Sequence, residues 1–88
     1  MGSRRVAGAP TAYIVTELRA ELARQRLSQR DLAALAGMPA GTVFRVLSGT
    51  TAIATDSLID VCDALGIDPG ALIREAAKLR KPRTEATS

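Results

Sequence analysis

At 88 residues, 47% of them apolar, the chain has room for one domain with one small core. One Tyr, one Phe and no Trp leave that core to Leu, Val, Ile and Ala; the lack of His and the single Cys62 exclude an internal disulfide and the usual zinc ligand sets. The formal charge of +3 is uneven: residues 1–30 hold six Arg against two Glu, residues 46–73 hold four Asp and no base, and residues 74–88 hold five bases against two acids.

Residues 1–12 mix Gly, Pro, Ala and Arg without apolar periodicity, which predicts a flexible basic arm. A helical pattern starts at Tyr13, with Ile14, Leu18 and Leu22 recurring every four residues beside Val15, and runs to about Arg26. Leu27 anchors the following turn. Ser28 then suits an N-cap with Asp31 three residues on, opening a second helix whose buried side is expected to carry Leu32, Leu35 and Ala36.

Gly37 ends that helix as a C-cap glycine, and Pro39 suits the first turn of a third helix that runs to about Ser48. On this third helix Val43, Val46 and Leu47 share one side, Gly41, Arg45 and Ser48 share the other, and Thr42 and Phe44 flank the outer stripe. Thr55 is the expected cap of a fourth helix, with Leu58, Ile59, Val61, Cys62 and Leu65 toward the core and Gly66 as its stop. Asp68 and Pro69 open a fifth, with Leu72, Ile73, Ala76 and Leu79 as its apolar face. The reading is all-α: a compact five-helix domain over residues 13–80, followed by a disordered tail over residues 81–88.

No histidine, no cysteine-centred constellation and no G-x-x-x-x-G-K phosphate loop supply a nucleophile, a base or a nucleotide cradle, so no enzyme and no cofactor are expected. No apolar run approaches the roughly 18 residues that span a bilayer, and the start has no signal-peptide core, so the chain reads as cytoplasmic with no membrane partner.

The informative spacing is Ala33, Gly37, Val43 and Val46. A small residue at 33 admits a close neighbouring helix, Gly37 makes the tight turn, and the valines bury the inner side of the third helix, leaving its outer side to protrude. The stretch "LSQRDLAALAGMPAGTVFRVLSG", continued by "TDSLIDVCDALGIDPGAL", resembles the helix-turn-helix domain of the phage repressor and Cro (XRE-like) family, also widespread in bacterial transcriptional regulators and antitoxins.

That resemblance covers roughly Ile14 to Leu79. It implies a lambda-repressor-like fold, double-stranded DNA as partner, and a homodimer on a partly palindromic site. It also implies site residues. Ala40, Gly41, Thr42, Phe44 and Arg45 match positions that face base edges or adjacent phosphates, while Gln29, Ser48, Thr50 and Thr51 match phosphate contacts. Arg45 suits bidentate bonding to guanine or a phosphate pairing; Phe44 suits a thymine methyl or completion of the core. Arg4 and Arg5 are candidates for a minor-groove arm, with a solubilising arm as the alternative.

Three departures from the family pattern stand out. The acidic residue that often lies two before the exit glycine is Leu47, the residue before Leu27 is Arg26 where glycine is common, and the loop after Gly49 lacks bases. The expected function is a sequence-specific DNA-binding transcriptional regulator, a repressor or Cro-like protein. The alternative is an antitoxin or other protein-interaction module on the same scaffold, using the acidic set Asp56, Asp60, Asp63 and Asp68, or the fifth helix, against a basic protein partner.

Overall fold

A computed structural model describes residues 8–50 and 52–80. The order is α1 (Ala9–Gln25), α2 (Gln29–Ala36), α3 (Ala40–Ser48), α4 (Thr55–Leu65) and α5 (Pro69–Ala77), with no strand among the described residues. Each boundary has a local cause. Ser28 accepts a hydrogen bond from Asp31 N–H and the Asp31 carboxylate accepts one from Ser28 N–H, both at 2.9 Å, closing a capping box at the start of α2. Those bonds from Ser28 hold the Asp31 carboxyl below the usual carboxylate range, so the cap's contribution is complete at neutral pH and is lost as acid protonates that group. Asp68 accepts from Gly70 N–H at 3.0 Å and Pro69 fills the first position of α5.

The core joins Leu18 and Leu22 of α1, Leu32 and Ala33 of α2, Val43 and Leu47 of α3, Val61, Cys62 and Leu65 of α4, and Leu72 and Ala76 of α5. α2 and α3 pack on each other, α3 on α1, α4 on α2, and α5 returns to α1 while also touching α4. Burial pushes the Cys62 thiol above its ordinary value, with a smaller effect from Asp68, so it behaves as a small apolar core residue rather than a reactive thiolate.

Several sequence expectations are corrected. α1 begins at Ala9, not Tyr13, because Pro10 sits in the first turn, where its missing N–H loses no bond, and residues 9–12 are therefore helix rather than arm. Residues 1–7 and 81–88, including the arm arginines Arg4 and Arg5, lie outside the described residues, as does Thr51. Ala54, not Thr55, holds the N-cap position of α4, and Pro39 precedes α3 as its N-cap. Leu35 is 59% exposed, and Ile59, Ile73 and Leu79 are exposed too. At 100° per residue Leu35 lies about 110° from the centre of the buried Leu32–Ala33 pair, beyond the arc that the neighbouring helices cover. α5 ends at Ala77, which leaves Leu79 outside it.

Arg26 closes α1 in the left-handed region at φ 57°, the only described non-glycine residue with positive φ. This geometry lets Leu27 N–H reach Leu22 C=O at 2.9 Å, and it costs a side-chain-bearing residue about 1–2 kcal/mol. Glycine would avoid most of that cost while adding unfolded-state entropy. Arg26→Gly is therefore expected to stabilise the domain by about 0.5–1 kcal/mol, seen as a higher urea midpoint at unchanged slope; a lower midpoint would show that the arginine side chain makes a compensating contact.

Candidate nucleic-acid interface

α3 divides into two faces along its length. Val43 and Leu47 are fully buried and Val46 nearly so, whereas Gly41, Phe44, Arg45 and Ser48 are exposed. The inner face fixes the helix to α1 and α2, and the outer face is left to solvent. Ala40 is half-buried against the core, so its side chain adds little to the outer face. Phe44 is 50% exposed, which removes the reading that it completes the core.

Arg45 has no ion pair or side-chain hydrogen bond among the described residues. Beside it lies a cleft of about 140 Å³, walled by Thr42 and Val46 of α3, the segment Ala52, Ile53 and Ala54, and Ser57 of α4. The guanidinium thus borders open space and has no partner among the described residues. Gly41, one turn earlier, is exposed, and a Cβ built there meets nothing within 4 Å. No internal packing requires glycine at this position.

Gln29 starts α2, half-buried, with its amide unpartnered among the described residues, so its donors are available at the positive end of that helix. Ser48 and Thr50 behave differently from the expectation of outward donors. Ser48 Oγ donates to Arg45 C=O at 2.8 Å and accepts from Thr50 N–H at 3.3 Å. With its one proton committed, its 3.0 Å contact to Thr50 Oγ1 is donated by Thr50. Both hydroxyls therefore organise the exit of α3, and either must rotate to donate to a phosphate.

Two contributors were missed by sequence reasoning. Arg19 of α1 donates through Nε and Nη2 to the Leu47 carbonyl, at 3.1 and 2.9 Å, across 28 residues of sequence. Gln25 donates to the Leu65 carbonyl at 2.8 Å and so holds the end of α4. Neither has a local signal, because the acceptors are backbone carbonyls that any residue supplies. Glu21 binds Gln25 at 2.7 Å and also pairs with Arg24; its carboxyl sits below the ordinary range mainly through the Gln25 bond.

A helix-turn-helix family model matches residues 18–72, more than half of the chain. The chain belongs to the helix-turn-helix family. Its fold is also that of the crystal structure of the clp gene regulator ClgR from C. glutamicum, with a TM-score of 0.66 and 22% identity over 86% of this chain and 99% of that one. No curated protein matches the sequence. Family and fold agree with the resemblance carried by residues 27–49, and the matched span includes every described element of the site.

Among the described residues no helix is long and apolar enough to cross a membrane, and no group of three or more His, Cys, Asp or Glu is placed to hold a metal ion. The open space at Gly41 has a direct consequence for stability. Gly41→Gln is expected to raise it by roughly 0.5–1 kcal/mol through helix propensity, with the α-helical circular dichroism unchanged. A variant that melts lower than the parent would show that Gly41 serves the fold.

Proposed function

We propose that the chain is a sequence-specific DNA-binding transcriptional regulator of the repressor or Cro type that inserts α3 into the major groove. One observation carries this reading: Arg45, unpaired among the described residues, stands on an exposed outer face, while the same helix is anchored by a buried inner one. A major groove about 12 Å wide admits such a helix. The missing side chain at Gly41 lets the backbone come close to the groove floor, where Thr42, Phe44 and Arg45 meet base edges and Ala40 offers a small apolar surface. A guanidinium set free in this way suits the two acceptors of guanine.

Flanking phosphates are taken by Gln29 at the start of α2 and by the exit loop, through Ser48, Thr50, Thr51 and the Gly49 N–H. Arg4 and Arg5 are assigned to an adjacent groove as an arm; they are two of the six Arg that stand against two Glu in residues 1–30. The acidic run of residues 46–73 falls largely after α3, on α4 and the start of α5, so the outer face of α3 itself carries no carboxylate.

Selection from a random DNA library followed by gel-shift titration at two salt concentrations tests this directly. Arg45→Ala is expected to cost about 1–3 kcal/mol on the selected site and to relax discrimination at one base position. Failure of the parent protein to bind any sequence at low salt would sink the reading.

The protein acts as a homodimer in this proposal. Ile73 and Leu79 are exposed, and an open apolar groove of about 520 Å³ runs between Pro10 and Ile14 of α1 and Ala76 and Ala77 of α5. A second copy covers this surface and sets two α3 helices about one turn of DNA apart. Sedimentation should report a dimer that Ile73→Asp converts to monomer with weaker DNA binding; a parent that stays monomeric at high concentration, or a variant that stays dimeric, counts against this surface.

A further inference from the structure

The ends of the helices are not closed alike. α1, α2 and α4 each end in a left-handed residue whose follower reaches back five residues through the backbone: Leu27 N–H to Leu22 C=O at 2.9 Å, Met38 N–H to Ala33 C=O at 3.0 Å, and Ile67 N–H to Cys62 C=O at 2.8 Å. α3 also ends in a left-handed residue, Gly49 at φ 72°, yet the corresponding Thr50 N–H goes to Ser48 Oγ instead. Its last carbonyls are bound by side chains, Arg45 C=O by Ser48 and Leu47 C=O by Arg19. Among the described residues, the helix that carries the candidate interface is thus the one whose end is closed by side chains and not by a returning backbone N–H.

Arg19 brings more than a replacement bond. It comes from another helix, so it fixes α3 relative to the body of the domain and not only to itself. It is charged, at the negative end of the α3 dipole, where a cation is favoured. Its neighbour one turn earlier on the same face of α1, Val15, lies 3.7–3.9 Å from where a Gly49 Cβ would stand, so the face bearing Val15 and Arg19 forms a seat for the exit of α3. Leu47 itself has no side-chain charge that could pair with Arg19, and the fork therefore grips a backbone atom.

We propose that Arg19 is a positioning residue of the DNA interface: by gripping the Leu47 carbonyl it sets the angle and depth at which α3 presents Arg45 and the Ser48 to Thr50 loop. The two-pronged bond resists both sliding and rotation of the last turn, which a single ammonium donor does less well. Three of the five guanidinium N–H groups are not used by Leu47, which leaves the residue, exposed beside the loop, able to keep this grip when DNA is present.

The inference rests on the DNA-binding reading for its functional half and on geometry alone for its structural half, and the test separates them. Arg19→Met keeps the length and apolar stem and removes the donors; Arg19→Lys keeps the charge without the fork. In the absence of DNA, amide exchange at Ser48, Gly49 and Thr50 should quicken about tenfold or more in Arg19→Met while the ends of α1 and α4 stay protected. On the library-selected site, at a temperature where all proteins are folded, Arg19→Met should lose about tenfold in discrimination against single-base variants, and Arg19→Lys should fall between it and the parent.

Unchanged exchange at the α3 end in Arg19→Met overturns the proposal whatever DNA does. Faster exchange with full discrimination retained by the folded protein also overturns it, since Arg19 would then be a stabilising residue only. If the parent binds no DNA, the functional reading fails while the exchange result still decides whether Arg19 holds α3.

Discussion

Val43 and Leu47 are removed completely from water where α3 meets α1 and α2, and burial of two such side chains contributes about 1.5–3 kcal/mol each. In a helix of nine residues those two positions, with Val46, occupy one side and leave no apolar residue but Phe44 on the other. The rotation of α3 about its own axis follows from this single packing event. Once Val43 and Leu47 point inward, Gly41, Arg45 and Ser48 have nowhere to point but out. The function proposed for the protein uses what the core leaves over.

The same economy governs the helix ends. A domain of this size has little core to spare, so each short helix must satisfy its terminal groups by local means. α2 does so with a capping box, and α1 does so at the cost of a strained arginine at 26. α3 departs from the pattern by relying on Ser48 and on Arg19 from a different helix. That departure turns a local end into a tertiary joint, and it falls on the helix that the proposed function sets in the groove.

Charge is divided along the fold in a way that agrees with this geometry. The described ion pairs, Glu21 with Arg24 and Glu75 with Lys78, are short-range pairs on exposed helix surfaces. Such pairs contribute little to stability. Arg45 and Arg19 are not spent on carboxylates, the first being unpaired among the described residues and the second bound to a carbonyl. Cationic groups therefore remain near the exit and outer face of α3, where a polyanion would be met.

The sequence by itself determined the number of helices, the glycine stops at 37, 49 and 66, the N-cap at Ser28 with Asp31 beside it, and the inner and outer sides of α3, because each of these depends on residues within a few positions of one another. The family resemblance also marked Arg26 as standing where glycine is common, and the backbone there is left-handed. Tertiary structure alone decided the exposure of Leu35, Ile59 and Ile73, since an apolar residue at the edge of a helical face is buried only if a neighbour reaches it. It decided that Phe44 stands outside the core, and that the Ser48 and Thr50 hydroxyls bond inward. It also brought Arg19 to the Leu47 carbonyl, a contact between residues 28 apart whose acceptor has no side-chain identity to read. Local chemistry fixes where most of the helices begin, turn and end, the exit of α3 excepted; which of their leftover groups meet is settled only when the chain has folded them together.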